Sequence, residues 1–218
     1  MHKLDRGPAP GCLRAYRPGR DDWGSVTDDH RAHLWQALEA MQGKRCAYCE
    51  AETPENRRHI EHFIQRSRNS QVTFQWDNLF GSCNRMDTCG KNKDHLAGSY
   101  NPAELLKPDV DDPDDYLVFV YDGTIQVRQG LTEAQQRRAR ETLRVFNLDA
   151  DYGPLRQMRK DAVAGYLQTA EELWSMIDDF PDDEWQQLLK SELAAVADQP
   201  FITTIRHILC RIAGAEQR

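Results

Sequence analysis

The chain has 218 residues, which is enough for one large domain or two small ones, since domains usually span roughly 50–250 residues. Its net charge of −7 argues against a protein that coats nucleic acid unaided, because backbone affinity comes from Lys and Arg that neutralise phosphates. It contains no apolar run of about 18 residues, so the sequence predicts no membrane-spanning helix.

The charges are unevenly distributed along the chain. Between Lys44 and His95, nine Lys or Arg residues stand against seven acids, a local balance of +2. The acidic excess lies elsewhere, notably in residues 109–122 and 178–184. Contact with phosphate is therefore expected within residues 44–95, whereas strong unaided binding to DNA is not.

The first elements in chain order are an irregular arm and a helix. Residues 1–24 are rich in proline, glycine and basic residues and are expected to form an arm that Trp23 and Tyr16 anchor. A helix is predicted over 27–41, because Thr27 or Asp28 can cap it and apolar residues recur at helical spacing. Three short elements follow: a strand over 57–63, an extended segment over 72–76 and a helix that begins near Cys89.

The second half is predicted to be mainly helical. A hairpin is expected over 116–127, since Asp122-Gly123 favours a tight turn between two apolar runs. The predicted helices after it cover residues 132–146, 154–177, 182–197 and 201–213. The sequence thus predicts an α+β protein in two parts: residues 1–112 hold the site, and residues 113–218 form a hairpin with a helical packing or interaction region.

Four cysteines form two pairs that predict a structural zinc site. Cys46 and Cys49 have the two-residue gap that lets both sulfurs reach one ion, whereas five residues separate Cys83 and Cys89, so the second turn must bulge. A cytoplasmic location is expected because no secretory signal is evident, and cysteine clusters there are more often metal sites than disulfides. The alternative is four incidental buried cysteines that pack as small hydrophobes.

Between the cysteine pairs, Glu61 and His62 are neighbours with complementary chemistry. Phosphodiester hydrolysis needs an activated water and a divalent cation that neutralises the developing charge. A neutral histidine can take a proton from water, and an adjacent carboxylate can bind the ion. Asn92 and Asp94 on the following helix are candidate further ligands. Asn78 is expected either to orient the histidine or to hold the local loop.

These residues together resemble the HNH endonuclease motif, which adopts a ββα-metal fold. Three segments beside the cysteine pairs carry the resemblance: Glu61-His62-Phe63, Trp76-Asp77-Asn78-Leu79 and Gly90-Lys91-Asn92-Lys93-Asp94. The resemblance implies that His62 is the general base and that Asn78 supports it. It also implies that Glu61 and Asn92 bind a catalytic Mg²⁺ or Mn²⁺.

Three other residues compete for roles in the implied site. Asn84 and Asp94 are alternatives to Asn92 as the second ligand of the catalytic metal. His59 is either an additional ligand or a residue for packing or substrate contact. An alternative function of a different class is a non-catalytic zinc-ribbon module that binds nucleic acid or protein.

Further segments resemble the HNH subunit of Septu-type and retron-linked bacterial anti-phage systems. They are residues 1–4, 45–50, 77–83, 106–113 and 144–148. That resemblance implies a DNA substrate, an ABC/SMC-like ATPase partner and, in retron versions, a reverse transcriptase with its DNA–RNA product. The chain itself carries no Walker A motif, so any ATP dependence would come from another chain.

Overall fold

A computed structural model describes residues 1–177 and 181–210. Seven α-helices and four β-strands lie in this part of the chain. The first half contains α1 (Asp28–Gln42), β1 (Arg58–His62), β2 (Leu79–Cys83) and α2 (Cys89–His95). The second half contains β3 (Leu117–Phe119), β4 (Ile125–Val127), α3 (Glu133–Phe146), α4 (Leu155–Ala164), α5 (Leu167–Ser175), α6 (Asp182–Ala195) and α7 (Ile202–Leu209). None of these described helices is long and apolar enough to cross a membrane.

Helix α1 forms where the sequence predicted it and fixes the N-terminal arm. The side chain of Thr27 accepts a hydrogen bond from the backbone nitrogen of His30 (3.2 Å), which caps the first turn. Leu34 and Leu38 are completely buried in a small core that also contains Trp23 of the arm. The predicted anchoring of the arm by Trp23 is therefore confirmed.

Strands β1 and β2 pair antiparallel and are followed by α2, a strand–strand–helix order. Glu61 lies opposite Phe80 in this pair, and His62 lies opposite Leu79. The predicted strand over 57–63 is confirmed as β1, and the predicted helix near Cys89 is confirmed as α2.

The predicted extended segment over 72–76 is wrong. Residues 70–72 and 76–78 form short 3₁₀ turns instead, and the second strand comes after them, at residues 79–83. The side-chain amide of Asn78 donates hydrogen bonds to the carbonyl oxygens of Ile64 and Val72, each at 3.1 Å. These bonds fold the segment back against the end of β1, because they satisfy backbone groups that a strand would have paired.

The main hydrophobic core draws on both halves of the chain. Tyr48 and Phe80 of the first half pack with Phe146 at the end of α3, and the rings of Tyr48 and Phe146 stack with centroids 4.2 Å apart. Phe201, the residue before α7, belongs to the same cluster. The division between residues 112 and 113 stays a prediction, and this core extends across it.

The second half follows the predicted order of elements with one difference. The hairpin is confirmed, with Phe119 of β3 opposite Ile125 of β4. The predicted helix over 154–177 is two helices, α4 and α5, because the chain turns at Gly165 and Tyr166. Of the predicted helix over 201–213, residues 202–209 form α7, and residues 211–213 lie outside the described residues.

The acidic segment around residues 109–114 binds basic side chains of three other elements. The contacts are Arg6 Nε–Asp109 at 2.6 Å, Arg138 Nη2–Asp111 at 2.8 Å and His207 Nε2–Asp114 at 3.0 Å. The segment thereby ties the arm, α3 and α7 to one another.

The chain between α6 and α7 lies on the turn formed by residues 45–50. The guanidinium of Arg45 donates to the carbonyl oxygens of Ala197 (2.8 Å) and Gln199 (3.0 Å). The hydroxyl of Thr203 donates to the carboxylate of Glu50 at 2.5 Å, and only 1% of the Glu50 surface is exposed. A buried carboxylate is stable only when hydrogen-bonded, so these contacts fix the two segments together.

Candidate metal centre and active site

The four predicted cysteines come together in one buried cluster. Their sulfur atoms all lie within 4.8 Å of one another. Cys46 and Cys49 occupy the turn after α1, Cys83 ends β2 and Cys89 begins α2. The Cys49 and Cys83 sulfurs are 3.9 Å apart. Four sulfurs around a tetrahedral zinc, each at ~2.3 Å, lie ~3.8 Å from one another. The cluster could therefore hold one zinc ion.

The thiols of this cluster depend on one another for their ionisation. Burial raises the pKa of Cys46, but hydrogen bonds from the other three thiols outweigh it and hold that pKa well below its ordinary value. Hydrogen bonding to Cys46 and Cys83 raises the pKa of Cys49, and burial raises that of Cys89. Several thiolates can therefore form together only with a cation among them.

The wide spacing between Cys83 and Cys89 is supported by the end of α3. The hydroxyl of Thr88 donates to the carbonyl oxygen of Phe146 (2.9 Å), and the Asn147 amide donates to the carbonyl oxygen of Asp87 (2.7 Å). The bulge between Cys83 and Cys89 is thus packed against the end of α3. The cysteine spacing alone does not indicate this contact.

An open cleft of about 670 Å³ lies along β1 and α2. It brings together Glu61 and His62 of β1 with basic side chains of the segment after β1 and of α2. Its lining includes Trp23, His59, Glu61, His62, Arg66, Lys91, Asp94 and His95.

Glu61 is buried at the floor of this cleft between two basic groups. Its Oε1 lies 2.8 Å from the ammonium of Lys93, and its Oε2 lies 3.2 Å from Nε2 of His59. Only 2% of Glu61 is exposed, whereas His59 reaches solvent. The carboxylate is therefore held in place between His59 and Lys93.

His62 is buried and neutral. Its Nε2 lies 3.1 Å from the carbonyl oxygen of Thr73, and the ring of Trp23 meets it edge-on with centroids 4.5 Å apart. Burial, followed by the nearby charge of Arg66, lowers the pKa of His62 to about 4. Trp23 was expected to anchor the arm, but its contact with His62 was missed from the sequence, because nothing local in the arm indicates which ring it covers.

Asn78 holds the loop through its side-chain hydrogen bonds, and among the described residues His62 is not a hydrogen-bond partner of that side chain. Besides its two donated bonds, its side-chain oxygen accepts from the backbone nitrogen of Ile64 at 2.7 Å. All three bonds fix the loop that carries Thr73, the residue whose carbonyl faces His62.

The candidate second ligands of the catalytic metal lie in different places. The side-chain amide of Asn92 donates to the carbonyl oxygen of Val145 (2.9 Å), so Asn92 faces α3 and does not line the cleft. Asp94 lines the cleft and binds Lys93 at 2.5 Å. Asn84 lies behind His59, with its side-chain oxygen 2.9 Å from Nδ1 of that ring. Asn92 therefore occupies the motif position of a metal ligand but does not lie at the cleft.

A pH prediction follows from two buried neutral histidines, His62 and His207. The pKa of His207 is also lowered by burial, and its Nδ1 accepts a hydrogen bond from the Phe119 backbone (3.0 Å). Both groups take up protons near pH 6.5 when unfolded but only at lower pH when folded. We expect the free energy of unfolding to fall from pH 7.5 to pH 5.5, with His62 alone contributing roughly 1 kcal/mol.

Urea unfolding of the zinc-loaded protein at the two pH values measures this effect. The matched variant is His207→Gln, which leaves the cysteine cluster and His62 unchanged and should show a smaller fall. Equal falls in the parent and the variant would show that His207 does not contribute.

Comparisons with known proteins add one finding. No family model matches the chain. The chain is similar to a Septu protein. Over 101 residues it is 27% identical to Septu protein PtuB of Bacillus thuringiensis. The aligned stretch makes up 45% of this chain and 35% of that relative, so it spans about a third of the relative's length.

Proposed function

We propose that this protein is a metal-dependent HNH-type endonuclease that cuts DNA as the nuclease of a Septu-like anti-phage system. The observation that carries the proposal is a neutral, buried His62 beside the Glu61 carboxylate at the wall of an open cleft. The strand–strand–helix order and the adjacent four-sulfur cluster support the HNH assignment. The similarity to a Septu protein supports the role in defence.

We propose that Glu61 and His59 hold the catalytic Mg²⁺ or Mn²⁺. Their facing atoms are 3.2 Å apart, and two ligands at right angles on such an ion, each at ~2.1 Å, lie ~3 Å apart. The Asn84 oxygen behind the other ring nitrogen is the usual support of a ligating histidine. His59 here replaces Asn92, the ligand that the motif implied. When bound, the ion would stabilise negative charge on the phosphate and the leaving oxygen.

His62 is the general base in this proposal. Because its Nε2 faces a carbonyl oxygen, which only accepts, that nitrogen carries the ring proton and Nδ1 keeps the lone pair. A water gives one proton to Nδ1 while its oxygen bonds to phosphorus, and the P–O bond to the departing nucleotide breaks. Burial keeps His62 unprotonated at pH 7, so it is ready to accept that proton.

Cations at the rim of the cleft are the proposed contacts for DNA phosphates. Arg66 and Lys91 line the cleft, and neither forms an ion pair with a carboxylate within residues 1–177 and 181–210. Because both line the cleft that holds Glu61, they suit contact with a DNA backbone that crosses it.

The double substitution Arg66→Gln with Lys91→Gln should weaken DNA binding and its salt dependence. Each lost phosphate contact makes the slope of log K against log salt shallower by about 0.9, so a change of about 2 is expected. Binding of a short duplex is measured in EDTA, where no cutting occurs. Arg14→Gln with Lys160→Gln removes the same charge from exposed positions away from the cleft. An unchanged slope in the cleft variant would contradict the proposed path.

We also propose an ABC/SMC-like ATPase as the partner, with the helical second half as its binding surface. The absence of a Walker A motif from this chain and the similarity to a Septu protein support this. A retron reverse transcriptase with its DNA–RNA product stays a prediction of the sequence resemblance.

The test of function uses the protein co-purified with the products of its neighbouring genes. Supercoiled plasmid should be nicked or linearised when Mg²⁺ or Mn²⁺ is added, and EDTA should stop the reaction. A zinc-ribbon binding module would shift the plasmid without producing new ends. That second result, with the partner present, would contradict the nuclease proposal.

A further inference from the structure

The two carboxylate oxygens of Glu61 face basic groups on two different elements. Oε1 lies 2.8 Å from the ammonium of Lys93 on α2, and Oε2 faces Nε2 of His59 on β1 at 3.2 Å. One oxygen is therefore neutralised within the protein, and one is directed to the cleft.

Lys93 is a completely buried cation. Its side chain has no exposed surface, and its ammonium also donates to the carbonyl oxygen of His62 at 3.0 Å and to the carboxylate of Asp94 at 2.5 Å. The ammonium therefore lies between two carboxylates, next to the cleft that Glu61 and Asp94 line.

Gly90 lets α2 approach Glu61 closely enough for this contact. A Cβ atom at Gly90 would lie 2.4 Å from Oε2 of Glu61 and 2.6 Å from its carboxyl carbon. Contacts this short do not occur between real side chains, and β1 carries Glu61 in a paired strand that cannot easily retreat. Any larger residue at Gly90 would displace the carboxylate.

The groups that face the cleft here are a ring nitrogen and a carboxylate oxygen. The side-chain oxygen of Asn84 accepts a hydrogen bond from Nδ1 of His59, so in the neutral ring Nε2 presents a lone pair towards Oε2 of Glu61. Two acceptors 3.2 Å apart favour a cation between them, but Lys93, whose charge Asp94 shares, already offsets part of the charge of Glu61. Affinity for hard divalent ions depends on the count of charged ligands, and Mg²⁺ is commonly held by one or two carboxylates together with substrate phosphates.

We infer that Gly90 and Lys93 are positioning residues that hold Glu61 half-neutralised, so that the divalent ion binds firmly only when a DNA phosphate supplies a further charged ligand. The inference rests on the proposed function, because it assigns the ion to Glu61 and His59. It makes metal binding and DNA binding mutually dependent: each raises the affinity for the other by the same factor.

Mn²⁺ binding to the zinc-loaded His62→Ala protein tests this without turnover. Free Mn²⁺ is measured by electron paramagnetic resonance with and without a short duplex, and Glu61→Gln in the same background serves as the blank for ions held by DNA alone. We expect Mn²⁺ to bind at least about tenfold more tightly with DNA, a coupling of the usual allosteric size. Equal affinities with and without DNA would overturn the inference while leaving the metal site in place.

Substitutions at two residues of α2 separate their roles. Lys93→Gln should raise the affinity for Mn²⁺ without DNA by about tenfold, whereas Lys93→Arg keeps the charge and should keep the parental affinity. Gly90→Ala should abolish Mn²⁺ binding in the presence of DNA while the zinc content stays normal. Parental Mn²⁺ binding by Gly90→Ala or an unchanged affinity in Lys93→Gln would contradict the positioning roles.

The outcomes also distinguish this inference from the proposed function. If Glu61→Gln binds Mn²⁺ as its parent does under every condition, the metal does not lie at Glu61 and the proposed active site is wrong. If Lys93→Gln fails to fold, the comparison of Mn²⁺ binding with and without DNA in the parent background still decides the question.

Discussion

Replacing His62 by Ala should abolish DNA cleavage by the complex of this protein with its partner. The substitution removes the only group proposed to take the proton from water, and loss of a general base lowers rates by about 100- to 10,000-fold. The ring is buried, so truncation leaves a space beside Trp23, but the four-sulfur cluster lies apart and should keep its zinc. The rate of plasmid nicking in Mn²⁺, with zinc content measured in parallel, provides the test.

The matched control for this substitution is His33→Ala. His33 lies on the exposed face of α1 and does not line the cleft, so its removal should leave the rate unchanged. Cleavage by His62→Ala at the parental rate would show that another group activates the water, and the catalytic assignment would then be wrong.

Replacing Cys46 by Ser should release zinc and unfold much of the first half of the protein. A structural zinc contributes about 10–16 kcal/mol of apparent binding free energy, which is comparable to the whole stability of a typical domain. The cluster joins the turn after α1, the end of β2 and the start of α2, so its loss frees all three. Elemental analysis should show loss of about one zinc per chain, and thermal melting should show a large fall in Tm.

Cys12→Ser is the control for this second substitution. Cys12 is a half-buried free cysteine of the arm, and it is not a member of the cluster. Its replacement should change neither the zinc content nor the melt appreciably. Retention of zinc by Cys46→Ser together with an unchanged melt would show that the four sulfurs do not form the binding site.

The cysteine cluster was predictable because its chemistry lies in local spacing. The two-residue gap of Cys46 and Cys49 already constrains both sulfurs, and the structure brings all four cysteines together. The catalytic roles of Glu61 and His62 stay predictions, and both residues line the cleft. Helix α1 was predictable for the same reason, since its cap and its apolar spacing are both local signals.

Which side chain of α2 faces the cleft was not predictable, because it depends on the rotation of that helix about its own axis. Cys89 begins the helix with φ of 56°, a left-handed conformation that the sequence does not indicate. That start directs Lys93 to Glu61 and the Asn92 amide to Val145, whereas the motif placed Asn92 at the metal. A change of about one residue in such a short helix alters which side chain reaches the cleft.

The segment over 72–76 shows a second limit, because its conformation depends on Asn78. Apolar alternation favours a strand there. The Asn78 side chain, however, donates two hydrogen bonds and accepts one, and these bonds outweigh that preference. The resulting loop places the Thr73 carbonyl against His62. Strand propensities do not indicate such a contact, because they carry no information about which residues meet in the fold.

The docking of Thr203 and residues 197–199 on the turn of residues 45–50 limits how far this protein can be shortened. A fragment that ended at residue 112 would keep every motif residue but would leave the buried Glu50 carboxylate without Thr203 and leave Arg45 without its two carbonyl acceptors. Such a fragment would be less stable than the full chain, even though all its motif residues are present. The helices at the other end of the chain are part of the scaffold that supports the turn of residues 45–50 and its cysteines.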